Sequence, residues 1–477
     1  MMQLIRKGAP GALLLTLSVA GMAGAQVQAT ATGSPATTSS RITTRQLGAA
    51  TATSAEMLGS VAAVRQLPNG NLLINDQARR RVIMLDRDMK LVGVVADSTS
   101  NTGNAYGARA GGLIPYRGDS TLFVDPASLS MLVVDPNGKI VRTMAAPRPN
   151  DVNFLIGGPF GNPGFDAKGR LVYRTLDFGF RGGRGGPQPG QPFVPPTPPD
   201  SSALVRFDLS TRKLDTVGFF KIPKSNVTMT QTPNGGMSVS VTINPLPVID
   251  DWTVLSDGSI AFVRGRDYHV DFVDADGNKT SADKVPYEWQ RMTDDDKTRF
   301  LDSAKVAIEK QRAAQQAAGP GAAPAAGLGG DILGGGGGGF GGRGGQPIVM
   351  TMTREGLGGG GGAAPPMRVE MGGGRGDGPN GPPPINMVPA SELPDYKPVF
   401  GQGAVRADFD GRVWVRTIAT KATAGGAVYD VLDRSGRLVD RVQVPAGTTI
   451  AGFGQGGIVY LGMRDATGLH LQRIPLK

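Results

Sequence analysis

Five polar residues recur where short apolar strands end. Asn75, Asp125, Arg174 and Arg416 share one register in the repeats described below, and Arg264 falls one residue later. Arginines collected from several strand ends offer planar forks of donors, which suit a carboxylate, a phosphate or an acidic side chain. The same arginines have a structural use, because each can pair with a neighbouring carboxylate between repeats. Sequence alone leaves both uses open. Other chemistry is sparse. With two histidines, His269 and His470, the chain has no HExxH pair and no three-histidine zinc set, and no GxSxG elbow occurs. Both histidines sit at alternating strand positions and read as ordinary strand residues. The absence of cysteine excludes a thiol nucleophile, a thiolate metal site, a disulfide framework and an acylated cysteine. DADGN (274 to 278) imitates a calcium loop but lacks glycine at the sixth position and a distal glutamate. DPNGK and DRSGR occupy the same point in other repeats, so a turn is the better reading. Asp250 and Asp251 are adjacent acids without a ligand set around them.

The elements that position these residues are repeats. VDPNGKIV (134 to 141) is a strand end, a tight turn and a new strand, and the pattern returns at 84 to 92, 206 to 214, 272 to 280 and 431 to 439. A second unit, a glycine loop followed by a short β-branched or aromatic strand, appears as LPNGNLLIND, YRGDSTLFVD, FDAKGRLVYR, LSDGSIAFVR, ADFDGRVWVR and GFGQGGIVYL. Gly70 to Gly118 spans 48 residues, Gly118 to Gly169 spans 51 and Gly411 to Gly457 spans 46. A period of this size, holding four strands, is the signature of a propeller blade. The sixth copy ends the chain at LHLQRIPLK without an Asp turn or a fourth strand. An N-terminal strand must therefore close the last blade, and RITTRQLG (41 to 48) is the segment expected to do so.

These paired motifs resemble NHL-type and TolB-like six-bladed β-propellers of exported bacterial proteins. The resemblance implies an all-β, six-bladed β-propeller and is weak for function, since propellers host binding, scaffolding and catalysis alike. Lactonase and lyase members of this class hold a metal in the central channel, which implies Asn75, Asp76 and Asp125 as its candidates here. No cofactor is predicted from the residues themselves, and a channel divalent metal is the alternative.

The start of the chain carries Arg6 and Lys7, an apolar run from Gly11 to Ala20 and then Ala23-Gly24-Ala25, the order of a signal peptide over residues 1–25. Export to the periplasm or the extracellular space follows, with no transmembrane anchor. The formal charge is +10, or +8 without Arg6 and Lys7. Residues 26–40 read as flexible, 41–289 as blades one to four and 387–477 as blades five and six. Three insertions interrupt them. A Gly/Pro-rich loop covers 178–199, and an extra hairpin around Asn234-Gly235 covers 225–244. The third carries a helix over 290–317, with Thr293 and Asp296 as a capping box, and a disordered Gly/Pro-rich tract over 318–386. The RGG runs at Arg181, Arg184 and Arg343 belong to a chain that reads as exported, so no nucleic-acid partner is expected. The reading is a monomeric binding or scaffolding module for an anionic small molecule, a glycan or an acidic protein partner. A metal-dependent hydrolase or lyase is the alternative, and an envelope protein working through its Gly-rich tract is the third.

Overall fold

The computed structural model describes residues 42–99, 106–175, 199–224, 226–231, 237–317, 386–419 and 425–476. The signal peptide, the flexible segment 26–40, nearly all of the loop 178–199 and the Gly-rich tract up to residue 385 lie outside the described residues.

Six antiparallel sheets follow one another along the chain, each ordered as a simple meander. Blade one holds Ala63–Gln66, Leu72–Asp76, Arg81–Leu85 and Leu91–Asp97. Blade two holds Gly112–Pro115, Thr121–Asp125, Ser130–Val134 and Ile140–Ala145. Blade three holds Gly164–Phe165, Leu171–Thr175, Ser201–Phe207 and Leu214–Lys221, and blade four Asp251–Val254, Ile260–Arg264, His269–Val273 and Lys279–Ser281. Blade five holds Phe400–Ala407, Val413–Thr417, Val428–Leu432 and Leu438–Gln443. Blade six has Thr448–Gly454, Ile458–Arg464 and Leu469–Pro475. The first strand of each blade is innermost, and these strands touch one another from blade six through one, two, three and four to five. The fold is a six-bladed β-propeller.

Alternation explains the packing. Second and third strands bury side chains on both faces, so each blade contributes to two inter-blade cores. Outer strands such as Leu91–Asp97 are largely exposed. The Asp turns close by side chain: Asp135 Oδ1 accepts the N–H groups of Asn137 (2.9 Å) and Lys139 (2.8 Å), and Asp274 Oδ1 accepts those of Asp276 and Asn278. DADGN is such a turn.

An N-terminal strand does close the last blade, but 41–48 is not that strand. Ala52–Thr53 pairs antiparallel with Leu469–Pro475 as the fourth strand of blade six. Thr44–Gln46 instead lies parallel to Leu438–Gln443 as a fifth strand on blade five. It is fixed there by Arg45, which pairs with Asp440 at 2.6 Å, and by Leu47, buried in the core between blades five and six. The ring is thus held across two blades by one N-terminal segment.

The inserted helix spans Asp294–Ala317 and begins with a reciprocal cap: Asp296 N donates to Thr293 Oγ1 at 3.2 Å and Thr293 N to Asp296 Oδ2 at 3.0 Å. Ala304 and Ile308 are buried, while Phe300 and Leu301 pack against Leu246, Met292, Val388 and Leu393. The strands Asn226–Gln231 and Met237–Ile243 form an antiparallel pair, and Asn386–Met387 runs parallel to the second of them. Ile418, just past the second strand of blade five, joins the helix cluster. The insertions therefore stand on the face where the second strands end.

One turn makes a sharp test of blade packing. Gly258 has φ +82°, and a Cβ there would lie 2.2 Å from the backbone N of Ala167 in the blade three turn. Gly118, at φ +58°, has open space around it. Gly258→Ala is expected to lose about 2–4 kcal/mol, backbone strain plus overpacking. Gly118→Ala should lose only the strain, about 1–2 kcal/mol. Urea midpoints of the two variants check the difference.

Candidate anion site at the channel mouth

The closing bonds of the inner hairpins fix the register. Leu67 N bonds Asn71 O, Tyr116 N bonds Ser120 O, Asp166 N bonds Arg170 O, Leu255 N bonds Ser259 O and Asp408 N bonds Arg412 O. Counting four residues on from each acceptor gives Asn75, Val124, Arg174, Val263 and Arg416; the next positions are Asp76, Asp125, Thr175, Arg264 and Thr417. Asn75, Arg174 and Arg416 are equivalent. Asp125 is not; it shares its position with Arg264, and successive strand residues face opposite ways.

The two sets differ in what they touch. Asp125 folds back onto its own turn, accepting from Ala127 N (3.1 Å) and Ser128 Oγ (2.6 Å). Arg264 is doubly neutralised: Nε donates to Asp271 (2.7 Å) and Nη1 to Asp250 (2.9 Å), with Phe219 O as a further acceptor. These carboxylates raise its pKa against the effect of burial, which lowers it. Asn75 is fully buried between blades one and two, with Nδ2 on Gly111 O (2.8 Å) and Oδ1 accepting from Tyr106 OH (3.0 Å).

Arg174 is 5% exposed and stands between blades three and four. Its Nε donates to Ser202 Oγ at 3.0 Å, and the rings of Phe154, Phe160 and Phe220 lie 5.2–5.8 Å from its Cζ. Among the described residues no carboxylate lies within ion-pair distance of it. A cavity of about 10 Å³, room for roughly one water, is lined by Arg174, Phe160, Phe220, Ile249, Asp251 and Gln402. Burial lowers the Arg174 pKa to about 10, and Asp251 opposes the shift.

Asp251 begins the inner strand of blade four and is 3% exposed. Its Oδ1 accepts the N–H of Trp252 (2.9 Å) and its Oδ2 that of Val405 (3.1 Å) on the inner strand of blade five. Burial outweighs these bonds and Arg174, and pushes the carboxyl up to about 7. Asn162 reinforces the junction through Nδ2 to Val405 O at 2.9 Å.

Arg406, which the strand-end alignment omitted, completes the group. It pairs with Trp414 across the inner hairpin of blade five, so Arg416, two residues beyond Trp414, is its diagonal neighbour on the same face. Both are partly exposed, and neither has a hydrogen bond or ion pair among the described residues. Burial lowers the Arg406 pKa and Arg416 lowers it further, against Tyr429 and Asp251. The first-strand register was the available signal: Arg406 and Arg416 flank one turn in VRADFDGRVWVR.

The residues expected to hold a channel metal do not fit one. Asp76 caps the N–H groups of Gly59 and Ser60 and pairs with Arg81, while Asn75 and Asp125 are committed as above. Among the described residues no three of His, Cys, Asp and Glu converge. His269 instead contacts Asp267, and His470 contacts Thr467 and the carbonyl of Ser54.

The class of protein defined by strand order is a six-bladed β-propeller. No protein-family model matches the chain, and neither does any curated protein. Among solved structures it is similar to virginiamycin B lyase from Staphylococcus aureus, at 10% identity over 88% of this chain and 98% of that one, with a TM-score of 0.35. A calcium-binding protein, regucalcin, from Agrobacterium tumefaciens matches at 10% identity over 91% and 97%, TM-score 0.35. A gluconolactonase from Xanthomonas campestris matches at 14% over 52% and 91%, TM-score 0.23. These likenesses carry no activity over to the present chain.

Proposed function

We propose that this chain is an exported binding module of the NHL-type or TolB-like kind, taking an anionic ligand or an acidic partner group at its channel mouth. One observation carries the reading: Arg174 and Arg406 share a single carboxylate, Asp251, and Arg416 adds a second positive charge beside Arg406, whereas Arg264 in the neighbouring strand end has two carboxylates of its own. Uncompensated cations in a concave, partly dry setting are electrostatically costly, and an arriving anion relieves that cost. The basic start of the chain, its apolar run and the Ala-Gly-Ala site support export to the periplasm or beyond. No helix among the described residues is long and apolar enough to cross a membrane.

Thermal unfolding of the mature protein against carboxylates, phosphates, acidic sugars and divalent metals tests the reading. An anion at a hundred times its dissociation constant should add about 2.7 kcal/mol to wild type. Arg174→Gln should lose most of that gain. Stabilisation by a divalent metal alone, equal in wild type and variant, would overturn the anion reading and favour a metal enzyme.

A further inference from the structure

Resting on the channel-mouth reading, the geometry points to a narrower ligand class: we infer that Arg406 and Arg416 clamp one tetrahedral oxyanion, as inorganic phosphate or sulfate or as the terminal group of a monoester. Two like charges placed diagonally on one face of a strand pair repel each other, which destabilises the hairpin unless something binds between them. Their neighbours on that face do not neutralise them. Trp414 stands directly opposite Arg406 and two residues before Arg416, its Nε1 committed to Asp408 at 2.9 Å, and Tyr429 stands opposite Arg416 on the third strand. The carboxylate in electrostatic reach of Arg406, Asp251, already accepts two backbone N–H groups.

Ligand shape follows from donor shape. A guanidinium is a rigid planar fork that fills both oxygens of a carboxylate by itself. Two forks set diagonally on one face can share an acceptor only if its oxygens lie in more than one plane, which a tetrahedral oxyanion supplies. A monocarboxylate would leave one arginine unsatisfied. Both residues are partly exposed, while burial around the Arg406 charge makes an arriving anion more favourable there.

Calorimetric titration of the mature chain at low ionic strength, with phosphate, sulfate, acetate and succinate as probes, tests the assignment. Phosphate or sulfate should bind at least tenfold more tightly than acetate. Arg406→Gln and Arg416→Gln should each weaken the tetrahedral anion at least tenfold. Arg416→Lys, which keeps the charge and loses the fork, should also fall well below wild type, and wild-type affinity in that variant would overturn the clamp. Succinate binding that depends on both arginines, without phosphate or sulfate binding, overturns the ligand class and leaves the channel-mouth reading intact. Binding of none of the anions overturns both. Labelling of wild type with an arginine-specific dicarbonyl reagent, read by mass spectrometry, covers the case of a variant that does not fold. Arg406 and Arg416 should react and be protected by phosphate or sulfate, and reaction unaffected by either anion counts against the clamp.

Discussion

Asp430→Ala is expected to destabilise the propeller by about 3–5 kcal/mol, the range for breaking a buried ion pair by removing one partner. Asp430 is fully buried in the third strand of blade five. Its Oδ2 accepts the hydroxyl of Tyr268 at 3.0 Å, and its Oδ1 accepts Arg441 Nε at 2.6 Å. Tyr268 belongs to the blade four turn, is itself fully buried, and has its pKa pushed well up by burial first and by Asp430 second. Removing the carboxylate leaves a buried hydroxyl without an acceptor and a guanidinium without its counter-charge, in the seam between two blades. Asp430→Asn keeps an oxygen in place and should lose less. Urea unfolding of Asp430→Ala, Tyr268→Phe and the double variant measures the coupling directly. A loss below about 1 kcal/mol for Asp430→Ala would show that the seam is held by its apolar core alone.

That network has counterparts, and they explain why one candidate ligand residue is structural. Tyr106 donates to Asn75 at the seam of blades one and two, and Tyr173 donates to Asp151 at 3.0 Å. In each case a tyrosine hydroxyl is satisfied by a polar residue from a neighbouring element. Asn75 shares its strand position with Arg174 and Arg416 yet serves the seam. Strand position brings a residue to the end of the second strand, and the partner across the seam decides whether it stays available.

The fold was legible because its turns are chemically marked. An aspartate that accepts two N–H groups and a glycine in the left-handed region leave a spacing that survives the insertions. The closing strands have no such mark. Three residues at Thr44–Gln46 and two at Ala52–Thr53 are too short for alternation to register, so the wrong one of the two was expected to finish the last blade. The slip at Asp125 has a comparable origin. In blade two the inner hairpin closes at Ser120, two residues past Gly118, whereas in blade one it closes at Asn71, one past Gly70. Five residues past the glycine is Asn75 in blade one but Phe123 in blade two, where the equivalent residue is Val124, so the glycine does not mark the register there, and an offset of one residue reverses a strand's faces. Arg264 shows the further limit: its two carboxylates come from separate places, Asp250 just ahead of the inner strand and Asp271 in the third strand, and no linear spacing announces their convergence.

Asp251 should make the stability of the whole protein fall as pH rises from about 4.5 to 8. Its carboxyl is raised from the model-compound value of 3.8 to about 7, mainly by burial, so the folded state holds a proton that the unfolded chain releases. Below the unfolded value both states are protonated and there is no penalty. Between the two values the penalty grows by about 1.4 kcal/mol per pH unit, and above about 7 it is constant at about 4 kcal/mol as an order of magnitude. The charged groups facing this carboxyl are Arg174 from blade three and Arg406 from blade five; with the N–H groups of Trp252 and Val405 they limit the shift without cancelling it. Carboxylates held low act in the opposite sense and at lower pH. Asp257, Asp271 and Asp433 are below their ordinary value, so their stabilisation is lost only as pH falls through the acid range. Starting at pH 4.5 therefore isolates Asp251 from them. Urea midpoints between pH 4.5 and 8 should decline in wild type and stay much flatter in Asp251→Asn, which cannot ionise and retains one acceptor oxygen. A flat wild-type profile would mean that Arg174 and Arg406 hold the carboxylate ionised down to its ordinary range, and the channel mouth would then carry one negative charge more at pH 5 than this account gives it.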